Sequence, residues 1–352
     1  MIRPLYRLLS GLALAVLLGG CTAHVHIPYQ PDGRPPIAEQ GDGPRLYPYE
    51  KSAIAYTNHI IEQRPRFRYQ ERHLHLRSYG ENGQEGNALE AIYYRSNTPG
   101  KLPLTIILPL WGSHNYPPDE MANTLRFRSH GAMHVLRVLG DQYIYDWQAM
   151  GDAQTEEEFL RIMRRMVDRD RINVIDVSRW IDWAETRPEI DAKRVAVMGF
   201  SRSAIIAGPA MANEPRLRAA VLVMGGAKPH QIMATCDGRA ELLRDKIMAR
   251  FGWTREEYEQ ALEPVYAPID LAKQAGFANP SRILIFDSAK DECMPESSRE
   301  SYWEALGRPE RYSMQYSHKT SFYAMTGLSL WWMRRKIYNF LETQLSVNSP
   351  EY

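Results

Sequence analysis

An apolar run, Val195-Ala196-Val197-Met198, ends in Gly199-Phe200-Ser201-Arg202-Ser203 and passes directly into the small residues that begin at Ala204. No other stretch limits the fold as tightly. Its first half has the character of a strand buried on both faces, and its second half that of a helix packed hard against a sheet. Only a sharp turn fits between them. In such a turn the backbone at Ser201 is strained and its hydroxyl stands clear of the sheet edge, which makes Ser201 the candidate nucleophile.

The rest of the chain supplies a sheet for that turn. Residues 68–79 alternate and pair across a Gly- and Asn-rich turn with 88–94, a hairpin signal. Continuous apolar runs follow at 102–109, 133–139, 194–198, 219–224 and 282–286, with 311–316 as a final strand. Helical patterns separate several of them. Val174, Val177, Ile181 and Ala184 lie at helical spacing before Pro188, and Leu328, Trp331, Tyr338, Leu341 and Leu345 mark a terminal amphipathic helix. The alternation predicts an α/β fold with a mostly parallel central sheet and helices on both faces. Two connections are too long for ordinary loops, at about 141–170 and 227–279. The first holds Trp147 and an acidic-then-basic helix, and the second holds helical pieces at 240–251 and 254–262. Both are expected as helical insertions over the carboxyl ends of the strands, shaping a substrate pocket.

The first twenty residues are not part of this fold. Arg3 and Arg7 precede an apolar core from Leu8 to Leu18, and Leu18-Gly19-Gly20 precede Cys21. The segment resembles a bacterial lipoprotein signal peptide with its lipobox. That resemblance implies cleavage after residue 20, acylation of Cys21 and a lipid-anchored, exported protein. Thr22 in place of an aspartate implies the outer membrane in a Gram-negative cell. Residues 21–48, rich in Pro, Gly and charge, read as a flexible tether. The remaining 49–352 read as one catalytic domain. The formal charge is +1, and loss of two arginines with the leader brings it to about −1, so net charge makes no case for nucleic acid or an anionic membrane. Cys236 and Cys293 follow adjacent strands at one end of the sheet, as a bridge or as two separate thiols.

Over roughly residues 65–345 the chain resembles the α/β-hydrolase superfamily, and within it the dienelactone-hydrolase, acyl-esterase and prolyl-oligopeptidase-like groups. The resemblance rests on a conjunction: the opening hairpin, the strand ending Pro109-Leu110-Trp111-Gly112, Asp191-Ala192-Lys193-Arg194 before the elbow, the elbow itself, and a strand running into Asp291-Glu292-Cys293-Met294-Pro295 with a histidine beyond. The elbow departs from Gly-x-Ser-x-Gly only in Ser203, still a small residue. The resemblance implies Asp291 as the acid, with Asp287 and Glu292 as runners-up, and His318 as the base. His230 is the only other histidine after Ser201. It further implies an oxyanion hole of backbone amides from Arg202 and Trp111, with Gly112 as the neighbouring choice.

These residue types in this order suit acyl transfer, since a serine needs a base to take its proton and an acid to fix the base's tautomer. The expectation is a cell-envelope serine hydrolase of carboxylic esters, acting on a small-molecule, glycan or lipid ester. A peptidase or acyltransferase on the same triad, and a non-catalytic binding protein that keeps the fold, are the alternatives. His24 and His26 lack carboxylate or cysteine support, His114 reads as a solvated loop residue or one lining the pocket, and no nucleotide fingerprint occurs, so neither metal nor cofactor is expected.

Overall fold

The computed structural model describes residues 24–29, 47–49, 51, 56–64, 68–79, 86–87, 89–110, 116–140, 145–274, 279–324 and 331–347. Ten strands form one sheet: β1 (His24–Ile27), β2 (Tyr56–Arg64), β3 (Tyr69–Leu76), β4 (Leu89–Ser96), β5 (Leu102–Ile107), β6 (His134–Leu139), β7 (Ile190–Phe200), β8 (Leu217–Val223), β9 (Ile283–Ser288) and β10 (Glu310–Met314). Their spatial order is β1-β10-β9-β8-β7-β5-β6-β4-β3-β2. The run from β6 through β10 is parallel, and antiparallel strands finish both ends. The chain leaves β5 toward β6 on one side and returns to β7 on the other. The crevice outside the carboxyl ends of β5 and β7 is therefore the topological switch point, where sheets of this kind bind ligands.

Helices α1 (Pro118–Arg128), α2 (Trp147–Asp152), α3 (Glu156–Glu185), α4 (Arg202–Asn213), α5 (Pro229–Thr235), α6 (Arg239–Phe251), α7 (Arg255–Tyr266), α8 (Glu296–Ala305), α9 (His318–Ala324) and α10 (Trp331–Gln344) complete the fold. Leu104, Ile106, Val195 and Val197 point to one sheet face, where Trp180, Ile181 and Ala184 of α3, Ala207 of α4 and Tyr302 of α8 cover them. Ile107, Ala196, Met198 and Val221 point to the other, under Met121 and Leu125 of α1 and Ile337 and Leu341 of α10. This double burial is why the central strands read as unbroken apolar runs rather than alternating ones.

A third core lies away from the sheet. Met150, Phe159, Met163, Met166, Leu243, Ile247, Tyr258, Leu262 and Tyr266 pack α2, the first half of α3, α6 and α7 into a helical cap. The two long insertions thus meet each other. Helix α3 runs unbroken for 30 residues, so the insertion helix and the helix carrying Val174 are one element, its first half in the cap and its second half on the sheet. Thr155 caps it by accepting from the Glu158 amide at 3.1 Å, and Glu156, Glu157 and Glu158 complement its positive end.

The amino-terminal segment differs from expectation. His24–Ile27 lie in β1, antiparallel to β10, within the stretch read as a tether. Alternating His-Val-His-Ile suits an edge strand, and stacking of His24 on Trp332 at 4.1 Å and His26 on Tyr312 at 4.4 Å holds it. Cys21 lies outside the described residues.

Candidate active site

Strand β7 ends at Phe200, and Ser201 takes φ 48° and ψ −119° before α4 begins at Arg202. That left-handed conformation costs a non-glycine residue of order 1–3 kcal/mol and is kept only where its surroundings enforce it. Here they do. The Ser201 amide donates to the Val223 carbonyl at 2.7 Å, tying the turn to β8. A Cβ on Gly199 would come within 2.3 Å of the Ser203 carbonyl oxygen, so only glycine permits the strand and helix to approach this closely. Ser203, the departure from a final glycine, turns its hydroxyl back into the turn: Oγ accepts from the Phe200 amide at 2.8 Å and lies 3.0 Å from the Phe200 carbonyl. The side chain is accommodated because it hydrogen-bonds the bend it occupies.

Two later loops converge on Ser201. His318, the first residue of α9, places Nε2 3.1 Å from the Ser201 Oγ and Nδ1 2.7 Å from Asp291 Oδ2. Asp291 lies in the turn after β9 with its side chain fully buried. Its other oxygen, Oδ1, accepts from the amides of Cys293 and Met294 at 2.9 and 2.8 Å, which fixes the carboxylate and leaves Oδ2 for the histidine. Glu292 does not reach the imidazole but accepts from the His318 backbone amide at 2.9 Å, seating the start of α9. Asp287 is engaged elsewhere, 2.5 Å from Arg311. His230 is buried under the cap 4.0 Å from Glu259. Trp111, Gly112 and His114 lie outside the described residues. Arg202 presents its backbone N–H at the positive end of α4, beside Ser201.

The Arg202 side chain does something the residue pattern did not reveal. Its guanidinium is buried, ion-paired to Asp170 of α3, and its Nε donates to the Tyr145 hydroxyl at 3.0 Å. Tyr145 in turn donates to Asp170 Oδ2 at 3.1 Å and stacks on Trp147 at 5.4 Å. Burial opposes the Arg202 charge, but Asp170 and Tyr145 outweigh it and move its pKa up. Burial likewise raises the Asp170 carboxyl, against the pull of Arg202. The cap is thus pinned to the residue after Ser201. Asp170 belongs to a charge run, Asp168-Arg169-Asp170-Arg171, and nothing in the sequence marks the one member that turns inward.

Cys236, which follows α5, and Cys293 of the Asp291 loop form a disulfide. It joins the cap side of the site to the loop that holds Asp291. Cys236, Asp237 and Cys293 are also the one grouping among the described residues with metal-ligand spacing, but their sulfurs are bonded to each other and are not thiolates. Together these parts enclose a cleft of about 460 Å³ with Ser201 and His318 in its wall. Ile205, Ile232, Met233, Ile269 and Met294 give it an apolar lining, and Asp170, Arg202, Asp237, Arg239 and Lys319 are its charged groups, with Arg202 held by Asp170. Lys319 is ion-paired to Asp237.

No protein-family model matches the chain, and no curated protein matches it. Solved structures do. Acetyl xylan esterase 1 from a Thermoanaerobacterium species superposes with a TM-score of 0.61 at 16% identity, covering 89% of this chain and 96% of that one. An acetyl xylan esterase from a Paenibacillus species gives 0.58 at 17% identity, over 83% and 90% of the two chains. The acylaminoacyl peptidase of Pyrococcus horikoshii gives 0.52 at 15% identity over 81% of this chain, but only 43% of that longer protein. At these identities the likeness is one of architecture. The chain has the α/β-hydrolase fold.

Proposed function

We propose that the chain is a serine hydrolase that cleaves carboxylic esters through an acyl-enzyme on Ser201, with His318 as base and Asp291 as the acid that orients it. One observation carries this reading. The hydrogen-bonded relay from Asp291 through His318 to Ser201 is unbroken, and it stands in the wall of a cleft at the switch point of the sheet.

With Nδ1–H donated to Asp291, His318 keeps the Nε2 lone pair for the Ser201 hydroxyl. As that proton moves to Nε2, Oγ bonds to the ester carbonyl carbon and the π pair moves to the carbonyl oxygen. The Arg202 amide, at the start of α4 beside Ser201, would donate to the oxygen where this charge develops. A second donor is expected from Trp111 or Gly112, and loss of one such donor typically costs about 100-fold or more in rate. The imidazolium then protonates the departing alkoxide. Water completes the cycle by the same steps, with His318 again as base, and releases the acid. Structural neighbours named as esterases support an ester as substrate. Peptide hydrolysis, or resolution of the acyl-enzyme by a hydroxyl acceptor, would use the same relay.

The leader supports a place in the bacterial envelope. On this reading residues 1–20 are removed, Cys21 carries the lipid, and the enzyme stands at the outer membrane in a Gram-negative cell. Among the described residues no helix is long and apolar enough to cross a membrane.

A fluorophosphonate probe tests the chemistry. The mature protein should label at Ser201 and hydrolyse p-nitrophenyl esters, and Ser201→Ala should lose both. A folded protein that binds esters without labelling or turnover would instead be a binding protein on this scaffold. Acetylated sugars and short peptides assayed beside the p-nitrophenyl series separate esterase from peptidase.

A further inference from the structure

The strand that begins three residues after Cys21 lies against a surface that is both aromatic and basic. His24 stacks on Trp332 in the first turn of α10. In the sequence only Thr22 and Ala23 separate Cys21 from this strand. The neighbouring Trp331 is 50% exposed, with the guanidinium groups of Arg128 and Arg335 each 5.4 Å from its ring centroid. Phe127, next to Arg128 at the end of α1, is 65% exposed. Only four large apolar side chains among the described residues are at least half exposed, and two of them, Phe127 and Trp331, lie beside Arg128. Lys336 lies 5.7 Å from the Tyr312 ring centroid, under β1.

Only part of the charge here is neutralised locally. Arg334 pairs with Glu120 at 3.4 Å, and Glu310 pairs with His26 at 3.0 Å. Among the described residues no carboxylate pairs with Arg128, Arg335 or Lys336. Burial lowers the Arg128 pKa, and Arg335 and Arg334 lower it further, as expected where cations crowd one another. Exposed tryptophan flanked by cations suits the headgroup zone of a bilayer, where an indole sits at the boundary and Lys or Arg side chains are drawn to an anionic surface. The exposed rings of Phe127 and Trp331 would reach the acyl boundary beneath it.

We propose that the surface formed by β1, the end of α1 and the start of α10 docks against an anionic phospholipid surface. Lipid on Cys21 would hold the chain at the membrane, and this patch would set which face of the folded body meets it. The proposal rests on the reading of Cys21 as the acylated residue. Docking along this edge sets the orientation of the catalytic body, since few residues separate the lipid from the sheet.

The test uses the mature chain with Cys21→Ser, so that no lipid contributes. It is mixed at low salt with phosphatidylethanolamine–phosphatidylglycerol vesicles or with phosphatidylcholine vesicles and sedimented. Binding is expected on the anionic vesicles, lost at high salt, and weakened at least tenfold by Arg335→Glu and severalfold by Trp331→Ser. Turnover of a soluble p-nitrophenyl ester should be unchanged in both variants, which shows that they are folded. Absence of binding, equal binding to neutral vesicles, or folded variants that bind as well as their parent would overturn the proposal. The mass of the Cys21 peptide from membrane-extracted protein separates the two readings. An acylated Cys21 with a patch that binds nothing defeats the docking surface alone, whereas an unmodified Cys21 with patch-dependent binding defeats the anchor alone.

Discussion

The edge of the sheet and the cap above it hold their residues by different means. At the edge, Ser201, Asp291 and His318 are fixed by backbone hydrogen bonds from adjoining strands and turns, such as Ser201 to Val223 and Cys293 and Met294 to Asp291. The cap has its own apolar core and meets the site through a few side chains, chiefly Tyr145 and Asp170 on Arg202 and the disulfide between Cys236 and Cys293. Backbone register is redundant, because each strand is held by several bonds. Side-chain pins are not, so single substitutions and changes of solution conditions should act most sharply at the cap.

Asp170→Ala is the strongest test of that difference. It leaves the Arg202 guanidinium buried without its counter-charge, and removing one partner of a buried pair typically costs about 3–5 kcal/mol. We expect a loss of that size in urea denaturation, with a fall in kcat/KM because the amide of Arg202 sits on the same residue. A loss below about 1 kcal/mol would show that the cap does not depend on this pin.

Reduction of the disulfide should come next. The bond closes a loop with a sequence separation of 57 residues, for which chain entropy gives a stabilisation of about 4 kcal/mol. Treatment with a phosphine, or Cys236→Ser, is therefore expected to lower stability by roughly 2–4 kcal/mol. Activity should fall severalfold as well, since Cys293 supplies one of the amides on Asp291. Unchanged activity in the reduced, folded enzyme would mean that the loop positions Asp291 without its tether.

The same contrast explains which parts were legible in the sequence. The elbow is local: an apolar run, a glycine that cannot bear a Cβ and a serine between strand and helix lie within a dozen residues, and the structure places Ser201 at the strained turn that pattern requires. Asp291 and His318 follow from chain order and from loops that end strands, and they meet Ser201 as that order implies. Arg202, Tyr145 and Asp170 are 57 and 32 residues apart along the chain, and no periodicity encodes a contact of that kind. The charge run at 168–171 also hid the continuity of α3, because it interrupts the apolar stripe just where the helix passes from cap to sheet. Four residues of alternation were too few to reveal β1 inside a Pro- and Gly-rich segment. Net charge near zero concealed the basic cluster of Arg128, Arg335 and Lys336, since a sum over the chain carries no information about position.

The smallest effect should belong to the sheet, and it is a response to acid. His134, at the start of β6, is buried, and its Nδ1 accepts from the Ser96 amide at 2.9 Å. The proton must then reside on Nε2, which donates to the Glu189 carbonyl at 3.1 Å. Protonating Nδ1 would set two N–H groups against each other in a dry site, and burial pushes the folded pKa down to about 4 from 6.5. Because the folded value is the lower one, the unfolded chain takes up this proton first as pH falls. The stability conferred by neutral His134 is complete above about pH 6.5 and declines toward pH 4, by about 3 kcal/mol at most. Other groups also respond to acid, so the measurement is a difference. Denaturation of the parent and of His134→Asn, which keeps an acceptor near Nδ1 but cannot titrate, should give stability gaps that shrink between pH 7 and pH 4.5. Parallel curves would show that the sheet's acid response lies elsewhere. Convergent curves would leave the sheet sensitive to protons at a buried histidine far along the chain from the site, and the cap sensitive to reductant beside it.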